Sequence, residues 1–386
     1  MFKRLTSVIS TLILTLGFGL NSAGAVCPEN LSLDEKIGQM MCLDLRLWYV
    51  DSVKKPVTEI TPEIKEVISN YHIGSVILFS GNFENKEQAK KLIHDLKKAA
   101  TDSGNPPLII CVDQEGGRVE RFAFDRKRLK NNSEIKTPQE AFEKGQIIGK
   151  ELQELGIDCD FAPVVDVNSN PMNPIINVRS FGSNPDIVSA LGKSFVDGLH
   201  SQNIISTAKH FPGHGDTCID SHVGLPRVNK SLEELENMEL KPFKSVIDSG
   251  VDLIMTAHIE LPKIEDSTVI SKKDRRKIFL PATLSKKVLT GLLRNNMNFK
   301  GVIVTDAMNM KAISENFGEE EAVKLAIKAG ADMVCMPTKL ISKKDLYKLD
   351  AIYKSLKCAL DNNEISEKQI NESVSRLLKL KEKYCH

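Results

Sequence analysis

Eight short apolar runs rich in β-forming residues recur along the chain, and amphipathic stretches with helical spacing separate them. The runs cover residues 37–43, 73–79, 108–112, 157–165, 204–208, 251–256, 301–305 and 331–336. This alternation and this strand count are typical of a (β/α)8 TIM barrel. An open doubly wound sheet shows the same alternation, but no Gly-x-Gly-x-x-Gly follows an early run. We therefore predict an α/β fold that closes into a barrel.

The chain shows no internal repeat, low-complexity block or flexible linker, so we predict a single barrel domain over residues 27–386. With 386 residues, of which 41% are hydrophobic, the chain has ample material for a core. The segment 263–281 is charged and rich in turn residues, which predicts a long loop. Helices are predicted at 86–100, 138–155, 186–202, 231–249, 319–328 and 367–384, the last of them packed on the barrel wall.

The N-terminus does not fit this pattern. Lys3 and Arg4 precede an apolar segment at 5–20, which leads into small residues that end at Ala25. This order is that of a secretory signal peptide, here residues 1–26. We expect a periplasmic or secreted protein without stable membrane insertion after processing, or a cytoplasmic one if the segment is not cleaved. The segment is short for a membrane span, and no stop-transfer charges follow it.

Charge and cysteine usage limit the partners. Only two of the 52 basic side chains, and none of the 51 acidic ones, lie in the signal segment, so the remainder is nearly neutral. Nothing basic indicates a nucleic-acid partner, and we expect a monomer. Cys111 and Cys335 lie inside apolar runs, which predicts buried thiols. Export would permit disulfides, for which the candidates are Cys27, Cys42, Cys358 and Cys385.

Polar residues follow the apolar runs at the point where each run ends. In a barrel these positions converge on one mouth, where the chemistry of such folds is located. Asp306 follows a buried run, which predicts a carboxylate at the barrel rim, although an Asp there also suits a helix N-cap. The other strand-end residues of this kind are Asp113, Asp166, Lys209 and His258.

The segment KHFPGHGDT at 209–217 places two histidines, a lysine and an aspartate among residues that exclude regular structure. Asp220 and His222 follow, two residues apart, so in extended chain both side chains point the same way. A carboxylate in that position fixes the imidazole tautomer and favours the imidazolium. His222 would then protonate a leaving oxygen and later take a proton from water.

A metal site is the alternative reading of the same segment. Histidine and aspartate are ligand types that zinc prefers. The two histidines of KHFPGHGDT cannot share a helix face, because Pro212 and Gly213 break the helix between them. We therefore expect no metal and no other cofactor. The candidate ligands of this alternative are His210, His214, Asp216, Asp220 and His222.

Four motifs, in this order, resemble those of family 3 glycoside hydrolases, in the β-N-acetylglucosaminidase (β-N-acetylhexosaminidase) branch. They are VDQEGGRV at 112–119, NPII at 173–176 with RSFG at 179–182, KHFPGHGDT at 209–217 with DSH at 220–222, and TDAMNM at 305–310. The resemblance spans nearly the whole chain after the signal segment. Several motifs in one order are far more specific than any one of them.

The resemblance implies a TIM barrel that removes terminal N-acetylglucosamine from peptidoglycan-derived or other glycans with retention of configuration. In it Asp306 is the nucleophile, and His222 paired with Asp220 is the acid/base. A histidine here replaces the second carboxyl group that retaining glycosidases usually carry. The residues that correspond to those holding the sugar are Asp113, Arg121, Arg179, Lys209 and His210.

Two other functions stay open at this point: a metal-dependent hydrolase of amidohydrolase type, and a sugar-binding barrel without catalysis. Water and phosphate both remain possible acceptors, because a histidine acid/base does not repel an anion. Many members of the family carry a second α/β domain, and we expect the site of this chain to be complete without one. The predicted export argues against a role in cytoplasmic recycling of peptidoglycan fragments.

Overall fold

The computed structural model describes residues 27–217 and 224–385, in which eight parallel strands form the central sheet. The strands are β1 Met41–Asp44, β2 Ser75–Leu78, β3 Ile109–Val112, β4 Cys159–Asp160, β5 Ile205–Phe211, β6 Leu253–Thr256, β7 Val302–Val304 and β8 Val334–Cys335. They neighbour each other in the order β7-β6-β5-β4-β3-β2-β1-β8. A parallel bridge from Val304 to Met333 then joins β7 to the start of β8, which closes the barrel and confirms the predicted fold.

Helices surround the barrel. The connection between β6 and β7 contains a π-helix at Lys287–Asn296 and an antiparallel pair of strands, Thr268–Ile270 and Lys277–Phe279. The α-helices are α1 Leu33–Gln39, α2 Pro62–Asn70, α3 Lys86–Asp102, α4 Pro138–Leu155, α5 Pro185–His200, α6 Leu232–Asn237, α7 Leu240–Asp248, α8 Lys311–Phe317, α9 Glu319–Ala329, α10 Leu346–Asp361 and α11 Glu367–Tyr384. Single 3-10 turns lie at Pro28–Asn30, Ser80–Asn82, Asn132–Glu134, Asn177–Arg179, Ala282–Leu284 and Lys343–Asp345.

Helix starts follow from local chemistry. Thr137 caps α4 by accepting a hydrogen bond from the backbone N–H of Glu140, while the Glu140 carboxylate accepts from the N–H of Thr137. Proline occupies the first helical position, where its missing N–H costs nothing. Gly156 ends the helix at φ 83°, a conformation that glycine adopts without strain. These signals explain why the prediction for this helix matches its observed bounds.

The prediction for residues 37–43 was wrong in its first half. Ser32 accepts a hydrogen bond from the N–H of Glu35, and the Glu35 carboxylate accepts from the N–H of Ser32. This capping box starts α1, which runs to Gln39, so the strand begins only at Met41. An apolar run alone does not distinguish a buried helix end from a strand.

Three further predictions need correction. The run at 157–165 contains only the two-residue strand β4, and Val164 returns to the sheet as an isolated bridge with Lys209. The predicted helix at 231–249 is two helices, since Met238 leaves helical geometry at φ -132° and ψ -81°. The predicted loop at 263–281 contains the antiparallel strand pair described above.

A hairpin after β1, formed by Leu47–Val50 and Val53–Pro56, projects from the strand ends. Trp48 on its first strand is buried, although its neighbour Tyr49 is exposed. The N–H of Tyr49 donates to the carbonyl oxygen of Ile341, 2.8 Å away. The hairpin is thereby tied to the segment that follows β8.

The opposite end of the barrel is covered by α11, whereas its apolar face had predicted packing on the barrel wall. The ammonium group of Lys381 is buried and donates to Gln39 Oε1 and to the carbonyl oxygen of Gly74, at 2.5 and 3.0 Å. Tyr384 donates to Asp252, which lies just before β6, at 2.8 Å. Helix α11 therefore seals the end at which the strands begin.

Of the predicted disulfide candidates, Cys27, Cys42, Cys358 and Cys385 are all free thiols in the structure. Cys111 and Cys335 are buried, as predicted. Residues 1–26, the predicted signal peptide, lie outside the described residues, as does Cys218. Within the described ranges no helix is long and apolar enough to cross a membrane.

Replacing Asp332 with Ala is expected to lower the free energy of unfolding by about 3–5 kcal/mol. Asp332 is fully buried and accepts hydrogen bonds from Arg294 (2.6 Å), Arg376 (2.9 Å) and the N–H of Ile303 (2.8 Å). Its removal leaves Arg294 without a carboxylate partner and Arg376 with only Glu372, 3.8 Å away. Urea unfolding followed by circular dichroism measures the loss, with the exposed Asp361→Ala as the matched control. Equal stability of the two variants would contradict the assignment.

Candidate active site

A cavity of about 680 Å³ opens at the carboxyl ends of the barrel strands. Its floor contains the barrel side chains Phe161 and Met255. Six residues that the sequence placed at the site line this one cavity: Asp113, Arg121, Arg179, Lys209, His210 and Asp306. The structure therefore brings together residues that lie up to almost two hundred positions apart in the chain.

Asp113, directly after β3, is held between two cations. Its Oδ2 accepts a hydrogen bond from Arg121 Nη2 at 2.8 Å, and its Oδ1 accepts one from Lys209 Nζ at 2.7 Å. Burial by itself raises the pKa of Asp113, but the charges of Lys209 and Arg121 outweigh it and hold that pKa well below its usual range. This carboxylate is ionised at neutral pH.

Glu115 is a site residue that the sequence prediction did not nominate. Arg179 binds it in bidentate fashion, with Nε at 2.9 Å and Nη2 at 2.7 Å from the two carboxylate oxygens. Lys209 Nζ lies 2.8 Å from Glu115 Oε1. Burial raises the pKa of Glu115, yet the two cations lower it to about 2. The sequence did contain a signal for it: Glu115 lies two residues beyond Asp113, and in extended chain two such side chains point to the same side.

We call Asp113, Glu115, Arg121, Arg179 and Lys209 the ion cluster. Lys209 is 2% exposed and bridges both carboxylates, and these raise its pKa despite the opposing effect of burial. Three cations against two carboxylates give the cluster a positive surplus. This charge favours oxygen-rich ligands and ionised carboxylates in the cavity.

Two consecutive residues of β5, Lys209 and His210, both line the cavity. Successive side chains of a regular strand point to opposite faces, so one of them would normally face away. The register between β5 and β6 shifts between Lys209 and Phe211, which is a bulge. The bulge re-aims the chain so that both polar side chains reach the site.

Asp166 orients His210. Its Oδ2 lies 2.7 Å from His210 Nδ1, and its Oδ1 accepts from the backbone N–H of His214 at 2.6 Å. Burial opposes ionisation of Asp166, but His210 together with the N–H of His214 lowers the pKa of this carboxyl overall. Because an ionised carboxylate only accepts hydrogen bonds, His210 Nδ1 carries the proton. Asp166 was recognised in the sequence as a strand-end residue but not as a site residue.

Asp306 follows β7 by two residues and lines the cavity from a half-buried position in the loop. Its Oδ1 accepts a hydrogen bond from the N–H of Ala307 at 2.7 Å. Burial raises the pKa of Asp306, but His258, His210 and that N–H together lower it below its usual value. His258 Nε2 also donates to the carbonyl oxygen of Ala307 at 3.0 Å, which fixes the loop. Asp306 is therefore an ionised carboxylate in a positive environment.

Asp220 and His222 lie outside the described residues, so their predicted pairing stays a prediction. His214, just before them, is 2% exposed, and its Nδ1 lies 2.9 Å from Thr217 Oγ1. Asp216 pairs with Lys230 at 3.0 Å. In the part of the chain that the structure describes, no group of three His, Cys, Asp or Glu side chains is placed to hold a metal ion.

The closed parallel barrel and the carboxylate-bearing cavity at its strand ends define a (β/α)8-barrel enzyme. The model of the glycosyl hydrolase family 3 N-terminal domain matches residues 32–380. The chain belongs to glycosyl hydrolase family 3.

Several named proteins are similar over most of the chain. Beta-hexosaminidase A of Pseudoalteromonas piscicida is 40% identical, with 94% of this chain and 63% of that protein covered. The beta-hexosaminidase of Idiomarina loihiensis is 34% identical, with 72% and 80% covered. A solved family 3 beta-N-acetylglucosaminidase from Paenibacillus sp. str. FPU-7 superposes with a TM-score of 0.81 at 37% identity, with 92% and 63% covered. The chain thus spans less than two thirds of the length of the first and third of these proteins.

Stability is expected to depend on pH through His214. Burial, together with the charge of His210, lowers the pKa of His214 to about 4 from an ordinary value of 6.5. Below pH 6.5 the His214 imidazole binds a proton in the unfolded chain, whereas in the folded chain it stays neutral until about pH 4. The free energy of unfolding is therefore expected to fall by roughly 2–3 kcal/mol as the pH decreases from 6.5 to about 4.

The variant His214→Gln tests this, because it cannot titrate in that range. Urea unfolding at pH 7.5 and pH 4.5 should show a smaller pH effect in this variant than in the wild type. The exposed His94→Gln is the matched control and should keep the wild-type pH effect. If the pH dependence of unfolding were the same in both variants, His214 would not be the cause of the lower stability at pH 4.5.

Proposed function

We propose that this protein is an exo-acting β-N-acetylglucosaminidase that works with retention of configuration. The observation that carries the proposal is the ionised carboxylate of Asp306 in one cavity with the positively charged ion cluster. The beta-hexosaminidase and beta-N-acetylglucosaminidase activities named for the relatives support the same reaction class.

The ion cluster suits a sugar with several hydroxyl groups. Asp113 is a carboxylate that accepts hydrogen bonds, while Arg121 and Lys209 donate them. Charged partners form stronger hydrogen bonds than neutral ones, and their mutual ion pairs hold them in place before the ligand arrives. His210, whose tautomer Asp166 fixes, adds one more oriented group.

The shape of the cavity supports attack at a chain end. Barrel side chains close its floor, and α11 covers the far end of the barrel. A glycan cannot pass through such a pocket, which suits entry of a terminal residue from the mouth. This geometry favours an exo-acting enzyme over one that cleaves within a polymer.

In the proposed reaction, Asp306 attacks the anomeric carbon and displaces the glycosidic oxygen, which takes a proton from His222. The covalent glycosyl–Asp306 ester is then cleaved by water, from which His222 removes a proton. Asp220 stabilises the imidazolium that alternates with the neutral ring. The roles of His222 and Asp220 rest on the sequence motif. Of these three residues, only Asp306 lies in the part of the chain that the structure describes.

Replacement of Asp306 by Asn should lower kcat on an aryl β-N-acetylglucosaminide by about 10³-fold or more, because the amide cannot form the covalent ester. The fold should persist, since Asn retains the oxygen that accepts from Ala307. Far-ultraviolet circular dichroism checks the fold, and Asp361→Asn is the matched control. A mechanism-based fluoro sugar should label Asp306 of the wild type in peptide mass analysis. Activity within tenfold of the wild type would overturn the assignment.

For His222→Ala we expect a loss that depends on the leaving group. Glycosylation by natural disaccharides should slow by about 10²–10⁴-fold, whereas an aryl glycoside with a good leaving group needs no acid and should slow far less. Deglycosylation should slow for both substrates. The measurements are single-turnover and steady-state rates, with and without phosphate and a chelator. An equal loss on every substrate, together with inhibition of the wild type by the chelator, would indicate a metal ligand instead.

A further inference from the structure

A buried lysine lies behind the ion cluster and outside the cavity. Lys144 of α4 is 4% exposed and does not line the cavity. Its ammonium group donates hydrogen bonds to the carbonyl oxygen of Lys130 at 2.8 Å and to Asn132 Oδ1 at 2.6 Å. Both acceptors are uncharged, and burial of an ammonium group without a directly bound counter-charge is costly. Helix packing alone would be served better by an apolar side chain at this position.

One contact of Lys144 leads to Arg179 of the ion cluster. Asn132 is 1% exposed, and its Nδ2 donates to the backbone carbonyl oxygen of Arg179 at 2.7 Å. An ammonium group only donates hydrogen bonds, so the amide of Asn132 must turn its oxygen towards Lys144. Its nitrogen then faces the carbonyl oxygen of Arg179. Lys144 thereby sets the orientation of the amide that holds the Arg179 backbone.

A second contact leads to Glu115, the carboxylate that binds the guanidinium of Arg179. Gly116 follows Glu115, and a Cβ atom on Gly116 would lie 2.5 Å from Lys144 Cε, so the backbone of this loop rests directly on the lysine side chain. Burial lowers the pKa of Lys144 to about 8, and the charge of Glu115 is the strongest influence that opposes this shift. Lys144 therefore supports both chain segments that carry the Arg179–Glu115 pair.

We propose that Lys144 is a positioning residue, which sets Arg179 and Glu115 for binding of the terminal sugar. The inference rests on the proposed function, in which the ion cluster holds that sugar. Arg179 lines the cavity, and it is held at its guanidinium by Glu115 and at its backbone by Asn132. Lys144 contacts both of these supports and so sets them relative to each other.

The geometry separates sugar binding from the chemical step. Asp306 is held in a different loop by the N–H of Ala307, whose carbonyl oxygen accepts a hydrogen bond from His258. A shift of Arg179 therefore weakens the hold on the sugar while the nucleophile keeps its place. We expect the loss of Lys144 to raise KM and the dissociation constant of the sugar, with little effect on kcat.

Lys144→Met tests this role, because methionine is a flexible side chain that fills the space without donating hydrogen bonds. The measurements are kcat and KM on an aryl β-N-acetylglucosaminide and the inhibition constant of free N-acetylglucosamine. We expect KM and the inhibition constant to rise about 3- to 30-fold, the range for a misplaced hydrogen bond to a charged group. Lys150→Met, at an exposed position of the same helix, is the matched control and should keep all three wild-type values.

Asn132→Asp separates the two contacts of the amide. The new carboxylate still accepts from Lys144, so the buried ammonium group keeps a partner. It cannot donate to the carbonyl oxygen of Arg179, so that contact is lost. We expect the inhibition constant of N-acetylglucosamine to rise in this variant as well, although Lys144 is intact.

A lysine that served only the stability of the fold would give a different result. Its replacement would reduce the fraction of active protein, which lowers the apparent kcat and leaves KM and the inhibition constant unchanged. That result for Lys144→Met, or a wild-type inhibition constant for Asn132→Asp, would overturn the proposal. Absence of hydrolysis by the wild type would overturn the proposed function itself, whereas hydrolysis with unchanged constants in both variants overturns only the role of Lys144.

Discussion

The ammonium group of Lys209 is buried at the centre of the cavity wall, and a buried charge is stable only when it is paired. Its partners, Asp113 and Glu115, follow β3, and Glu115 in turn holds Arg179 from the long connection after β4. One buried cation therefore fixes three neighbouring segments of the mouth relative to each other. The low pKa values of both carboxyl groups and the positive surplus of the cavity follow from this single arrangement.

The two ends of the barrel use buried charge for different purposes. At the closed end, the fully buried Asp332 pairs with Arg294 and Arg376 beneath α11. At the open end, comparable ion pairs line a cavity. This division follows the general rule for such barrels, in which one face carries stability and the other carries chemistry. It allows residues of the mouth to be exchanged without disturbing the contacts that close the barrel.

Much of the fold was accessible from the sequence, because strand and helix periodicities repeat eight times. The error at residues 37–43 arose from a local signal that was present but not used, the capping box of Ser32 and Glu35. The early end of β4 and the return of Val164 to the sheet depend on tertiary pairing, so no local pattern gives them.

The site was predicted less completely than the fold. Strand-end positions led to Asp113, Lys209 and Asp306 because the barrel geometry makes such residues converge. The bulge that brings His210 into the cavity beside Lys209 is set by pairing with β6, which sequence periodicity does not report. Lys311, at the start of α8, and Lys339, after β8, also line the cavity, and neither lies within a motif recognised in the sequence.

The hairpin after β1 carries Trp48, the single tryptophan of the chain, in a buried position. Most proteins of this size contain several indoles, whose emissions overlap. Here the tryptophan fluorescence arises from one place, beside the wall that holds Arg46. Its emission reports the polarity around that hairpin alone, so optical titration of the unlabelled protein can follow ligand entry at the mouth separately from events elsewhere in the barrel.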